Sequence, residues 1–170
     1  MPKQTTITLA SQIATVLAVA LWLGGMIILG AVVAPVVFSV VPAPISADAM
    51  TVVFRRFDAL AVTSAAVVLV CEMWRVKISG KPSRRELSRG IVIVIAGLLA
   101  LFEGVVVSPR VEALHRAGAV RGLGDLGKQL DSWHSIAEAV SKCEAFFIVA
   151  FVVLYVVTTS ADRKSPEIPA

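Results

Sequence analysis

The chain has 170 residues, 57% of them apolar and only 16% charged, with a formal net charge of +4. Soluble domains carry about 25% charged residues, and a domain of this size has too little interior to hide so much apolar surface. Composition therefore excludes a soluble globular fold, and the length suits one membrane domain spanning residues 1–170.

In chain order, the first feature is a run without any charged residue between Lys3 and Asp48. A helix needs about 20 residues to cross the hydrocarbon core. A first span is expected at about 9–36. The run is too long for the apolar region of a cleaved signal peptide, about 7–15 residues, so it is read as a retained span. Pro35 near its far end should kink or end the helix, and the stretch PAPIS should start a loop. The second span falls at about 56–76, followed by the basic loop VKISGKPSRRELSR. The third falls at about 89–108 and the fourth at about 137–159. Between them lies SPRVEALHRAGAVRGLGDLGKQLDSWH, amphipathic at its start. Ser108 can cap a short helix there, Pro109 suits its first position and Glu112 its first turn. Gly118, Gly122, Gly124 and Gly127 interrupt it, and Asp131 is placed to cap span four. The expected fold class is all-α: an integral membrane, antiparallel four-helix bundle with an amphipathic segment between spans three and four.

Basic residues orient such a bundle. Lys3, Arg75, Lys77, Lys81, Arg84, Arg85, Arg89, Arg163 and Lys164 gather at one end. Seven others, Arg55, Arg56, Arg110, Arg116, Arg121, Lys128 and Lys142, fall at the opposite end among more numerous acids. The bias places both termini in the cytoplasm. Anionic lipid headgroups account for the basic loop, so the expected partner is the lipid bilayer and not nucleic acid. Cys71 and Cys143 lie near opposite ends of their spans, roughly 15–20 Å apart in depth at about 1.5 Å per residue, too far for a disulfide.

Helices in lipid associate through small residues and polar contacts. Gly24 and Gly25 in span one, and Gly90, Gly97 and Gly104 in span three, are the expected packing positions. Span three also carries Glu103, inside the run LLALFEGVVVSPR with no cation before Arg110. A carboxylate inside a membrane is costly and is a site candidate by default. Counted along their helices, Glu103 and Glu144 share one layer in the outer half of the bundle, with Asp58, Arg56, Glu138 and His134 just above it. His134 and Glu138 lie four apart, one turn along one face, and are a candidate metal pair. Two readings stand. In one, the layer is a cation, metal or proton site in which Arg56 balances charge. In the other, the carboxyls are neutral or paired with Arg56 or Lys142 and hold the helices together. Glu72 is expected to pair with Arg75, His115 to be solvated, and Trp22 to pack on neighbouring glycines. Phosphate loops, HExxH and nucleophile-elbow patterns are missing, so no catalytic residue and no particular cofactor is indicated.

The segments LAVALWLGGMIILGAVVAPVVF at 17–38, FRRFDALAV at 54–62, SPRVEAL at 108–114 and LDSWHSIAEAVSKCEAFF at 130–147 carry a likeness. With them the chain resembles a family of small, uncharacterised four-helix bacterial membrane proteins. That family looks related to the transmembrane protein 205 family and, more distantly, to copper-resistance D membrane proteins. The resemblance implies a four-span protein of the bacterial inner membrane. Its copper connection implies metal handling, but Met26, Met50 and Met73 are scattered and paired histidines are lacking. The expected role is cation, metal or proton-coupled small-solute handling. The alternative is an accessory or scaffolding subunit with a membrane-complex partner or a second copy of itself.

Overall fold

The computed structural model describes residues 2–80 and 83–162, with side chains at 9–78, 80 and 83–159. The side chains of Lys3, Lys81, Arg163 and Lys164, counted above for orientation, lie outside these. The described residues form four long helical rods. The first comprises α1 (Pro2–Ile28), a π-helical segment (Leu29–Val33) and α2 (Ala34–Val40). The second is α3 (Ile45–Ser79). The third comprises α4 (Arg84–Phe102), a π-helical segment (Glu103–Val107) and α5 (Ser108–Arg116), and the fourth is α6 (Gly124–Asp162). All four are long and apolar enough to cross a membrane. Their outer faces carry exposed Leu9, Ile13, Leu17, Leu98, Phe146 and Val153, as lipid contact requires.

The rods alternate in direction. Gly104 approaches Asp58, Gly97 approaches Ala65, and Arg89 bonds Glu72, so α3 and the third rod run antiparallel. Glu103 with Ser141 and Arg89 with Thr158 say the same of the third and fourth. The core is narrow and small-residued: Ala18, Ala61, Ala65, Ala96 and Ala100 surround Trp22, Val68, Ile93, Ile148 and Phe151. Buried positions on α4 and the segment beyond it are Arg89, Ile93, Ala96, Ala100 and Val107. This spacing of four and three is the left-handed bundle seam.

Pro35 does not end its helix. Proline has no N–H for the carbonyl four residues back, and its ring collides with that carbonyl. Here the preceding turn widens into the π segment Leu29–Val33, and the rod runs on to Val40. Pro109 repeats the arrangement two residues beyond Glu103–Val107. Ser108 therefore caps nothing, since its helix continues from the π segment rather than starting afresh. Asp131 also departs from expectation. α6 already begins at Gly124, and the Asp131 carboxylate accepts from Arg121 Nε (2.8 Å) and Gly122 N (3.0 Å), tying down the 117–123 connection. Gly122 and Gly124 take positive φ in that connection, and Gly127 lets the Val120 carbonyl lie where a Cβ would be. At the opposite end, Ser83 and Glu86 form a reciprocal capping box at the start of α4. Both thiols are free, Cys71 buried and Cys143 exposed.

Candidate functional site

Three carboxylates come together in the half of the bundle facing the 41–44 and 117–123 connections. Each meets a neutral donor from another helix. Trp22, fully buried on α1, donates from Nε1 to Glu144 Oε1 on α6 at 2.6 Å. The Ser141 hydroxyl lies 2.9 and 3.1 Å from the two carboxyl oxygens of Glu103. The Ser108 hydroxyl donates to Asp58 Oδ2 at 2.6 Å. Among the described residues no lysine or arginine pairs with any of the three.

Asp58, Glu103 and Glu144 line one small cavity of about 100 Å³, together with Phe54, Phe57 and Ser141. Glu103 and Ser141 are also part of a larger, half-open cavity of about 680 Å³ that reaches the helix ends. Its walls are largely apolar, from Met26, Phe38, Met50, Phe54, Val107 and Val111. The charged side chains around it are paired with one another. Arg55 meets Glu112 at 2.6 Å, Arg121 meets Asp131 at 2.8 Å, and Lys142 meets Glu138 at 2.6 Å. His115 and His134 lie edge to face in its wall, ring centroids 5.9 Å apart. The cavity thus has a rim of ion-paired side chains, Glu112 being shared by Arg55 and Arg116, an imidazole pair in its wall, and one carboxyl group, Glu103, that meets no cation among the described residues.

Both π segments sit at this level. Gly30 of the first lines both cavities, and Glu103 opens the second. A π turn displaces side chains from the regular helical progression, which is why such turns recur at functional sites. Gly104, within the second, brings the backbone against Asp58: a Cβ there would stand 3.2 Å from the Asp58 Cβ.

The structure sorts the expected site residues. Glu103, Glu144 and Asp58 are brought together. His134 is in the wall of the large cavity, beside His115 rather than Glu138. Glu138 is exposed and tied to Lys142, one residue off the buried stripe of α6, so it does not form a pair with His134. Among the described residues no three His, Cys, Asp or Glu side chains gather closely enough to hold a metal ion. Arg56 is exposed and meets no carboxylate among the described residues, so it does not balance this layer. Of the packing glycines, Gly97 faces the Ala65 Cβ at 3.3 Å, and Gly25 leaves no room for a Cβ against the Phe57 ring. Gly24 and Gly90 face open space.

Sequence reasoning missed three contacts. Trp22 bonds a carboxyl instead of packing on glycine. His115 reaches His134. Glu72, expected to pair with Arg75 alone, bonds Arg89 Nε at 2.6 Å, with Arg75 at 3.6 Å. Arg89 also donates to Thr158 at 2.7 Å, and Arg75 to the Tyr155 hydroxyl. The signal for the last cluster was available: Glu72 and Arg89 lie at similar distances on either side of one helical hairpin turn.

Comparison with known protein families matches residues 17–119 to the family described as Domain of unknown function (DUF4149). The chain belongs to this family. The match runs from within α1 past the end of the third rod and takes in Trp22, Asp58, Glu103 and His115, while His134, Ser141 and Glu144 lie beyond it on α6. Comparison with curated proteins and with solved structures gives no match.

Proposed function

We propose that this membrane protein binds a small apolar-bodied cation in the large cavity and handles it by exchange against a proton at Glu103. One observation carries the reading: an apolar cavity of about 680 Å³ ends on a carboxyl group that no cation of the protein neutralises, while every charged side chain named around its rim is paired. A carboxyl in apolar surroundings is held neutral by a proton or balanced by a bound cation, and one displaces the other. Asp58 and Glu144, on the small cavity beyond Glu103, are further carboxyl groups through which a proton can pass on its way out. His115 and His134 stand where a solute would pass. The basic-residue bias supports a bacterial inner-membrane orientation with both termini cytoplasmic, which would open the cavity to the far side.

The test uses the purified protein in lipid nanodiscs with tetraphenylphosphonium as the probe cation. Saturable binding with proton release into weakly buffered solution is expected, lost in Glu103→Gln while the helical spectrum is kept. Binding unchanged by Glu103→Gln, or no saturable binding by the folded wild type, overturns the reading. The accessory-subunit alternative predicts a co-purifying membrane partner and full tolerance of Glu103→Gln.

A further inference from the structure

The end of the bundle that carries the termini holds a second polar cluster, apart from the site above. Two guanidiniums, Arg75 and Arg89, share one carboxylate, Glu72. Arg89 and Glu72 are 3% and 5% exposed, so the cluster lies inside the bundle. Arginine remains protonated in any protein environment, so the cluster carries one positive charge in excess. Among the described residues no second carboxylate meets either arginine. Glu86 is engaged in its helix cap, and Lys77 turns outward over the Trp74 ring. A buried excess charge is costly until a counterion arrives. Pairing inside the cluster is incomplete, since the Arg75 Nε–H and Glu72 Oε1 are buried without hydrogen-bond partners, and the Arg75 side chain, 11% exposed, is the member that a counterion can reach.

Beside this cluster a groove of about 400 Å³ runs between α1 and α6. Ile13, Val16 and Leu17 form one wall and Val156 the other, with Gln12, Tyr155 and Thr159 as polar members. Tyr155 joins groove to cluster. Its hydroxyl accepts from Arg75, and the Arg75 and Arg89 guanidiniums lie 4.6 and 5.5 Å from its ring centroid. A ligand that satisfies both parts has an apolar tail and an anionic head.

We propose that the groove seats an acyl chain of one anionic phospholipid, whose phosphate neutralises the Arg75–Arg89 excess beside Tyr155. Charge complementarity selects this occupant. A zwitterionic lipid brings its own cation. The site is independent of the Glu103 cavity, so either assignment can fail without the other.

The experiment is native mass spectrometry of the full chain released from detergent, with phosphatidylglycerol, phosphatidylcholine or inorganic phosphate as probe. One retained phosphatidylglycerol per chain is expected, without comparable retention of phosphatidylcholine. Arg75→Gln should weaken that retention by about tenfold or more, the loss of a charge-assisted hydrogen bond. Val16 is 55% exposed, so Val16→Trp fills the groove while leaving the buried cluster intact, and should abolish retention in a folded protein. Equal retention of the two lipids overturns the proposal. So does unchanged phosphatidylglycerol retention in Val16→Trp, displacement of the lipid by inorganic phosphate, or a second protein chain on the groove in place of lipid.

Discussion

Trp22→Phe tests the joint between the first and fourth rods. The substitution keeps an aromatic ring in a fully buried position but removes the Nε1–H that Glu144 Oε1 accepts at 2.6 Å. Two costs add. Trp to Phe vacates roughly 40 Å³, which at about 24 cal/mol per Å³ comes to about 1 kcal/mol if nothing relaxes. Interhelical hydrogen bonds inside membranes contribute about 0.6 kcal/mol on average and up to about 1.7, and this one is short and fully enclosed. The expected loss is about 1.5–3 kcal/mol. Glu144→Met, an apolar side chain of similar length, orphans the indole instead and should also destabilise. In the double variant neither partner is left unsatisfied, so its loss should fall short of the sum of the singles by about 1–2 kcal/mol. Equilibrium unfolding in mixed micelles, followed by helical signal, measures all four corners of the cycle. Additive losses, to within about 0.3 kcal/mol, would refute the claim that this hydrogen bond joins the rods.

Other outcomes follow from the same geometry. Gly97→Leu should separate α3 from α4 and cost about 2–4 kcal/mol or abolish folding, because even a Cβ stands 3.3 Å from Ala65, whereas Gly24→Ala, into open space, should be neutral or slightly stabilising by micelle unfolding. Glu72→Gln leaves two buried guanidiniums against a neutral amide and should cost about 3–5 kcal/mol in the same assay. In detergent without denaturant, maleimide should label Cys143 and spare Cys71, with both labelled after unfolding; equal native rates would contradict the burial of Cys71.

The four spans were legible because lipid demands long charge-poor helices, and nothing else in the sequence competes with that signal. Their ends were not. α6 begins at Gly124, well before the apolar run, because the Arg121–Asp131 pair and close glycine contacts hold a polar first turn against the connection. At the site, Glu103 stood out as an unbalanced charge in an apolar run. Counting at 3.6 residues per turn puts Glu138 on the same face of α6 as His134 and leaves Glu144 near its border. Supercoiled rods bury a stripe that repeats every 3.5 residues, so the inward positions run His134, Ala137, Ser141, Glu144, Ile148, Phe151, Tyr155 and Thr158. On that count Glu144 faces in and Glu138 out. The Trp22–Glu144 bond could not be read at all, since nothing local to either residue specifies a partner so distant in the chain.

The π segments give two of the rods a surplus with a purpose. Each π turn holds one residue more than an α turn while covering about the same rotation, so the extra residue is absorbed locally and the helix beyond it stays in phase. Deleting a single residue within 103–107 would therefore leave the later part of the third rod close to its present orientation, with Ser108 still beside Asp58 and His115 still beside His134. What the deletion removes is the widened turn ahead of Pro109, and the regular helix left in its place would meet the clash that the proline ring imposes. This end of the bundle keeps its register through a residue that the proline makes necessary, and a rod shortened there should bend instead of turning.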